Sequence, residues 1–253
     1  MQLTWIGTAT VLLEHDGFTL LTDPNFLHRG QRAYLGKGLW SRRLTEPSTT
    51  PQALPPLDAV IVSHVHGDHW DRVARRELDR QLPLLSTRQS ALKLRLQGFE
   101  QAVALSTWES WELTKDGRTL RVTSAPGRHA RGPARGLLPD VMGSVLEFPD
   151  GSSVYITGDS LFVEELREVP RRYPGLDLGL WHLGGTRVLG MLVTMNGQEG
   201  ADLLEVVRPA SCVPIHHGDY GVFKDPVSSF LTEVERRGLT GVRPLARGES
   251  LQV

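Results

Sequence analysis

Cysteine is almost absent from the chain: Cys212 is the only one among 253 residues. This scarcity excludes a disulfide framework and a metal site built from several thiolates. The residue itself is typical of a small buried hydrophobic side chain. A reducing compartment fits this composition, and we expect the protein to be cytoplasmic.

Long apolar runs and an excess of charge of one sign are absent too. No run approaches the ~18 consecutive apolar residues that a membrane-spanning helix needs, so no membrane segment is expected. The N-terminal stretch MQLTWIGTATVLLEHDG has no basic region ahead of its apolar residues and therefore predicts a strand, not a signal peptide. The 28 basic residues nearly balance the 29 acidic ones, for a net charge of −1, and no nucleic-acid partner is expected.

The apolar pattern predicts an α/β fold and a single domain over residues 1–253. Three short apolar runs near the N-terminus predict a β-meander, and DAVIVS at 58–63 is typical of a strand buried on both faces. Helical patterns at 88–96 and 161–168 lie among further strands. Sheets with helices outside them predict a four-layer αββα sandwich of two mixed β-sheets. The irregular segment 24–57 is long enough to be either functional or draped over the surface.

The stretch SHVHGDHW at 63–70 places three histidines and an aspartate within six consecutive positions. A lone histidine is more often structural or exposed than a ligand, but this density directly after a buried strand favours a metal site. Alternation places His64 and His66 on the same side of an extended segment. Asp68 and His69 lie one step further along, where they could reach a second metal.

Other candidate ligands also follow apolar strands. His129 follows LRVTSAPGR, Asp159 follows VYITG and His216 follows CVPI. Polar groups at strand ends meet at one rim of packed sheets, so these side chains are expected to come together. Structural alternatives are a helix cap for Asp159 and a solvated arginine-rich loop for His129. The neighbouring His217 competes with His216 as the ligand.

The H-x-H-x-D-H pattern of SHVHGDHW is similar to that of the metallo-β-lactamase superfamily. The stretches PGRH (126–129), TGDS (157–160) and PIH (214–216) match the remaining motifs of that superfamily in order. The stretches WIGTATVLLEHDGFTLLTDP and LPPLDAVIVSHVHGDH resemble the branch that contains the N-acylphosphatidylethanolamine-hydrolysing phospholipase D and the ascorbate-6-phosphate lactonase. The resemblance covers nearly the whole chain and implies the metallo-β-lactamase fold.

The resemblance also implies a centre with two divalent metal ions. The implied ligands of the first metal are His64, His66 and His129. Those of the second metal are Asp68, His69 and His216, and Asp159 is implied to bridge both. Imidazole and carboxylate donors without thiolate suit Zn, with Mn or Fe as alternatives.

The implied chemistry is hydrolysis. Two metals a few Å apart lower the pKa of a bridging water, and the resulting hydroxide is the expected nucleophile. Asp68 is the candidate catalytic residue, since a free oxygen on its carboxylate could move the proton. The expected substrate is a small, anionic ester, lactone or phosphodiester, with phosphodiesterase and lactonase activities left open. A non-hydrolytic metal-binding or sensing protein is the alternative, although an intact ligand set argues against it.

Substrate contacts are expected from three long loops. The candidates are His28 in the segment 24–57, Arg187 in GGTRVLGMLVTM and His217. The basic residues of these loops are typical either of an anion-binding mouth or of a solvated basic face. The apolar group of Leu189, Met191 and Leu192 suits either an acyl chain or a dimer contact, so a homo-oligomer is an open expectation.

Overall fold

Two mixed β-sheets pack face to face in the structure of the chain, a computed structural model that describes residues 1–132, 136 and 138–253. Helices cover the outer face of each sheet, and three apolar cores lie between the four layers. The predicted αββα sandwich is therefore confirmed.

The first sheet has seven strands and contains the predicted β-meander. In spatial order its strands are β17 (Ser250–Gln252), β1 (Gln2–Gly7), β2 (Thr10–His15), β3 (Phe18–Thr22), β6 (Ala59–Ile61), β7 (Leu84–Thr87) and β8 (Ala102–Leu105). Strands β17 to β3 are antiparallel, whereas β3, β6, β7 and β8 are parallel. The DAVIVS run thus forms a central strand, which has helices on one side and the second sheet on the other.

The second sheet has six strands. In spatial order they are β16 (Ser211–Ile215), β13 (Leu178–His182), β12 (Ser153–Ile156), β11 (Gly143–Glu147), β10 (Arg118–Ala125) and β9 (Ser110–Lys115). The first three are parallel and the others antiparallel. Because parallel strands point the same way, the residues that follow β12, β13 and β16 meet at one edge.

Helices and small hairpins complete the layers. The helices α1 (Arg72–Glu77) and α2 (Arg88–Leu96) cover the first sheet; α3 (Glu168–Arg172), α4 (Gly197–Val207) and α5 (Val227–Arg236) cover the second. Two hairpins lie outside the sheets: β4 (Arg32–Tyr34) with β5 (Trp40–Arg42), and β14 (Arg187–Val188) with β15 (Met191–Leu192). Within the described ranges, no helix is both long and apolar enough to cross a membrane.

The central core lies between the two sheets. Alternate side chains of each strand point into it, among them Leu13 and Leu20 from the first sheet and Leu146 and Leu180 from the second, all fully buried. A fully buried leucine contributes about 1.5–3 kcal/mol of transfer free energy, so this layer fixes the two sheets and the strand ends they carry.

The predicted helix at 161–168 is wrong. Only a 3₁₀ turn at Glu164–Arg167 forms there, followed by α3. The amide of Leu161 donates to the carbonyl of Arg128 (2.8 Å), and that of Phe162 donates to Glu199 Oε2 (3.0 Å). Because tertiary contacts anchor these amides, the segment stays extended to Val163 and begins to coil only beyond it.

Candidate metal centre

Four strand ends bring the predicted ligands together at one rim of the sandwich. The loop after β6 carries the three histidines and the aspartate of the SHVHGDHW stretch, while His129, Asp159 and His216 follow β10, β12 and β16. The structure brings all seven side chains into two adjacent groups. In each group, the candidate ligand atoms lie within 4.8 Å of one another.

The first group consists of His64, His66 and His129. Nε2 of His64 lies 2.9 Å from Nδ1 of His66, and the His129 ring centroid is 5.2 Å and 5.3 Å from theirs. Nδ1 of His129 donates to the carbonyl of Val193 (2.5 Å), which leaves Nε2 unprotonated and able to bind a metal.

The second group consists of Asp68, His69, Asp159 and His216, all buried. Oδ2 of Asp68 lies 3.5 Å from Nε2 of His216, and Oδ2 of Asp159 lies 3.2 Å from Nε2 of His69. Nδ1 of His216 donates to the carbonyl of Leu183 (3.0 Å), so its Nε2 faces the group. His216 has φ 59, a strained backbone that aims this ring inward.

Asp159 lies between the two groups. The ring centroids of His64 and His69, one from each group, are only 4.2 Å apart. The charge of Asp159 acts on histidines of both groups: it partly offsets the lowering of the pKa of His66 and His129 by burial, and it helps to raise the pKa of His216 above the ordinary value. This position agrees with the bridging role that the motif order implies.

The donor atoms of the second group fit a metal ion. Four buried atoms there make no hydrogen bond of good geometry among the described residues, although the two nitrogens lie 3.2 Å and 3.5 Å from carboxylate oxygens: Oδ1 of Asp68, Nε2 of His69, Oδ1 of Asp159 and Nε2 of His216. A buried polar atom without a partner is costly, typically about 1–3 kcal/mol. Imidazole nitrogens and carboxylate oxygens that converge in this way are the donors preferred by Zn, Mn and Fe.

The two groups differ in their protonation. Burial lowers the pKa of all three histidines in the first group, in the case of His66 to about 3, so these rings are neutral near pH 7. Burial alone would also lower the pKa of His69 and His216, but the neighbouring aspartates, above all Asp159, raise it above the ordinary value. These histidines in turn hold the pKa of Asp159 well below its usual range despite its burial.

Gly67 explains how the ligand loop fits beneath the hairpin β4–β5. The amide of Gly67 donates to the carbonyl of Tyr34 (2.8 Å), and a Cβ at this position would lie 2.7 Å from the Tyr34 nitrogen. Beyond the loop, the buried carboxylate of Asp71 caps α1 through the amides of Val73 and Ala74. The same carboxylate accepts from the amide of Leu27 (2.7 Å) and thereby ties the segment 24–57 to the site.

A third group, which the sequence interpretation missed, lies behind the second. It consists of Asp23, His69 and His182, all buried. Oδ2 of Asp23 is 3.1 Å from Nδ1 of His69 and 3.3 Å from Nε2 of His182. Since Asp23 directly follows β3 and His182 ends β13, the rule that selected the other strand-end ligands also points to these two.

A cleft of about 520 Å³ opens over the two groups of predicted ligands. Its floor includes His66, Asp68, His129 and Asp159. Its walls are largely apolar and come from the two hairpins, with contributions from Leu35, Leu39, Trp40, Val188 and Leu189. The cleft can therefore hold an apolar substrate group directly above the ligand cluster.

The predicted substrate contacts occupy different places. Arg187 lines the cleft and donates from Nη1 to the carbonyl of Gly190 (3.1 Å). His28 lies on the surface with Nδ1 2.7 Å from Glu46 Oε2 and does not line the cleft. His217 packs against Trp5, 5.0 Å between ring centroids, also away from the cleft lining; burial lowers its pKa to about 4.

The arginine-rich loop around His129 is described only in part. Arg128 pairs with Glu165, and Arg131 lies 2.8 Å from Glu199. Glu165 lies in the 3₁₀ turn before α3 and Glu199 in α4, and neither arginine lines the cleft. Arg135, the third basic residue of this loop, lies outside the described residues.

Comparison with known families agrees with this geometry. The sequence model of the Beta-lactamase superfamily domain matches residues 19–217. The chain belongs to this superfamily. The superfamily membership predicted from the motifs is thus confirmed, and the matched region contains all seven predicted ligands.

Members of the superfamily with related sequences include proteins named as hydrolases. A metal-dependent hydrolase of Deinococcus radiodurans is 27% identical over 100% of both chains. N-acyl-phosphatidylethanolamine-hydrolyzing phospholipase D 1 of Caenorhabditis elegans is 25% identical over 86% of this chain and 64% of its own length. These matches support the prediction of a metal-dependent hydrolase of this superfamily.

A solved structure of the superfamily fold superposes along the whole chain. The crystal structure of a possible metal-dependent hydrolase from Veillonella parvula has a TM-score of 0.85 and covers 100% of this chain and 99% of its own. At 21% sequence identity, this likeness establishes the fold.

Proposed function

We propose that the chain is a dinuclear metal-dependent hydrolase that cleaves an ester, a lactone or a phosphodiester. The observation that carries the proposal is the convergence of two adjacent ligand groups, one with four unpartnered buried donor atoms, on the floor of a cleft. Seven ligands from four separate strand ends would be an unfavourable cluster of buried polar groups without a cation to satisfy them.

The ligand assignment follows the two groups. One metal would be held by His64, His66 and His129. The other would be held by Asp68, His69 and His216, and Asp159 would be shared by both. Zn suits this donor set, as do Mn and Fe. When bound, the pair of ions would supply hydroxide at neutral pH and polarise the carbonyl or phosphoryl oxygen of the substrate.

Hydrogen bonds behind the ligands keep the donor nitrogens in place. His129, His216 and His69 each use Nδ1 in a contact to the protein, with Val193, Leu183 and Asp23 respectively. Their Nε2 atoms are thus fixed toward the centre before any metal arrives. Such contacts reduce the reorganisation that binding requires.

Asp68 is the best candidate to move a proton. Its Oδ2 faces Nε2 of His216 at 3.5 Å, whereas its buried Oδ1 has no hydrogen-bond partner among the described residues. The side chain also lines the cleft, where it can meet the substrate. One oxygen can therefore remain with the ligand group while the other accepts a proton from the nucleophile or passes it to the leaving group.

Metal content and hydrolysis test the proposal together. We expect about two equivalents of a transition metal per chain, by elemental mass spectrometry, on protein purified without chelators or a polyhistidine tag. The loaded enzyme should cleave at least one of 4-nitrophenyl acetate, a γ-lactone and bis(4-nitrophenyl) phosphate. His66→Ala should abolish turnover without loss of folding. The surface variant His28→Ala should keep both its turnover and its fold. Normal turnover by His66→Ala, or a protein that binds no metal even when Zn or Mn is added, would refute the dinuclear assignment.

A further inference from the structure

A second cavity, of about 350 Å³, adjoins the cleft above the ligand groups. The two share five lining residues, Leu35, Gly36, Lys37, His66 and Leu138, so the candidate ligand His66 belongs to the wall between them. A substrate bound at the ligand groups therefore has two directions in which to extend: along the apolar cleft, or past His66 into this second cavity.

The second cavity carries positive charge. Lys37 and Lys93 line it together with Gln89, and the described lining includes no carboxylate. Both lysines are exposed, and neither forms an ion pair with any described residue. The chain has only two other lysines, and both are engaged: Lys115 lies 2.8 Å from Asp58, and Lys224 donates to the carbonyl of Gly221 (2.6 Å). The lysines without a partner are thus concentrated in this one cavity.

The backbone holds Lys37 in place at the tip of the hairpin β4–β5. Gly36, Lys37 and Gly38 have φ 83, 51 and 79, the left-handed conformation of a tight turn. The amide of Leu35 donates to the carbonyl of Leu39 (2.9 Å), and that of Leu39 donates to the carbonyl of Gly36 (2.9 Å). The ammonium group is therefore carried on an ordered turn. This turn lies close to His66, since a Cβ on Gly36 would be 3.4 Å from Nε2 of His66.

Lys93 reaches the cavity from a different element. It lies on α2, one turn after Gln89, so the two side chains share a helix face and both reach the cavity. The two ammonium groups and the Gln89 amide can together donate several hydrogen bonds, and no described acceptor of the cavity carries a negative charge to receive them. An oxyanion has the matching charge and acceptor atoms.

We propose that this cavity, the lysine pocket, binds a terminal carboxylate or phosphate of the substrate while the scissile bond lies at the ligand groups. The proposal rests on the hydrolase function proposed above and narrows its substrates to molecules with an oxyanion separate from the bond that is cleaved. The rest of such a substrate should be apolar, because the cleft walls beside His66 are largely apolar.

Lysine acetylation tests the pocket without any turnover. With the metal-loaded enzyme, 6-phenylhexanoate or 6-phenylhexyl phosphate at about twice its Kd should slow acetylation of Lys37 and Lys93 by acetic anhydride about threefold. Lys115 and Lys224 serve as internal controls and should react at unchanged rates in the same mass spectra. The neutral 6-phenylhexan-1-ol should slow the acetylation of none of the four lysines. Whichever acid protects at the lower concentration identifies the oxyanion. Equal protection by the alcohol, or no protection by either acid, overturns the proposal.

Two esters that differ only in a terminal carboxylate test the pocket in catalysis. The double variant Lys37→Gln, Lys93→Gln should raise the KM for mono-4-nitrophenyl adipate about tenfold and leave 4-nitrophenyl hexanoate nearly unchanged. The matched variant Lys115→Gln, Lys224→Gln removes the same charge elsewhere and should alter neither ester. Equal effects of both double variants overturn the lysine pocket, whereas protection of Lys37 and Lys93 without turnover of either ester would contradict only the hydrolase function.

Discussion

Oδ2 of Asp23 lies between two imidazoles, 3.1 Å from Nδ1 of His69 and 3.3 Å from Nε2 of His182. Its Oδ1 accepts from the amide (2.7 Å) and hydroxyl (3.0 Å) of Ser63, at the start of the ligand loop. Burial on its own would raise the pKa of Asp23, but His69 and His182 lower it by a larger amount. The net pKa lies below the ordinary value, so the carboxylate is ionised. A single buried carboxylate therefore fixes both the backbone of the ligand loop and the direction of one of its histidines.

We expect Asp23→Asn to weaken metal binding. An amide has only one acceptor oxygen, so it cannot serve both Ser63 and the two histidines, and His69 loses the contact that aims its Nε2 at Asp68 and Asp159. Affinity for the second metal equivalent should fall about 10- to 100-fold. Competition with a chromophoric chelator measures this.

The control for that variant is Asp58→Asn, a half-buried carboxylate that pairs with Lys115 at 2.8 Å and belongs to none of the three ligand groups. It removes the same charge and should keep the affinity for both equivalents. If Asp23→Asn also binds two equivalents as tightly as the unchanged chain, Asp23 does not position His69.

The opposite pKa shifts predict that the two ligand groups load at different pH. At pH 6, His64 and His66 are already neutral, because burial holds the pKa of His64 well below the ordinary 6.5 and that of His66 at about 3; burial lowers the pKa of His129 as well. His69 and His216 have a raised pKa, so in the metal-free protein they keep their protons at this pH and must release them to bind.

Metal content should therefore rise from about one equivalent at pH 6 to about two at pH 8, with proton release confined mainly to the second step. Titration calorimetry in buffers of different ionisation enthalpy measures the released protons, and elemental analysis after desalting gives the stoichiometry. Simultaneous loading of both equivalents at pH 6, without proton release, would contradict the assigned protonation states.

The convergence of the candidate ligands could be predicted from sequence because it depends on local order. Each candidate ligand follows an apolar strand, and the strand ends of a layered sheet structure converge wherever the strands themselves are placed. The same rule applied to every strand would also have found Asp23 and His182. They were missed because Asp23 stands alone in LLTDP and His182 alone in LGLWH, without a dense motif to draw attention to them.

The remaining differences arise from contacts between distant parts of the chain. Strand β17 forms only because Ser250–Gln252 pairs with β1, from which it is separated by nearly the whole sequence. The hairpin β4–β5 is three residues on each side and rests on Gly67, so its own sequence carries little periodic signal. The cleft walls and the hairpin side of the lysine pocket consist of such segments, and for this reason the sequence predicts the chemistry better than the substrate.

We expect Asp68→Asn to reduce catalysis more than metal binding. The amide oxygen can still face His216, but the group can no longer accept a proton at neutral pH. Measured at saturating metal with the ester that the enzyme cleaves best, kcat should fall about 100-fold or more, a larger effect than the weaker binding of the second metal that loss of a carboxylate ligand brings. Asp116→Asn, in the exposed turn between β9 and β10, is the matched control. Unchanged kcat in Asp68→Asn would exclude Asp68 as the proton carrier, and a kcat that returns to normal once the second metal is saturated would assign it a ligand role alone.

Gly67→Ala tests whether close contact with the hairpin β4–β5 shapes the site. The added Cβ would lie 2.7 Å from the nitrogen and 2.9 Å from the oxygen of Tyr34, both backbone atoms that cannot rotate away. The hairpin must shift, which should lower the free energy of unfolding by about 1–3 kcal/mol. Since the hairpin carries Lys37 and Trp40, KM should rise as well. Gly221→Ala is the matched control, because a Cβ there meets nothing within 4 Å. Thermal unfolding and steady-state kinetics measure both effects, and equal behaviour of the two variants would show that the hairpin does not depend on this contact.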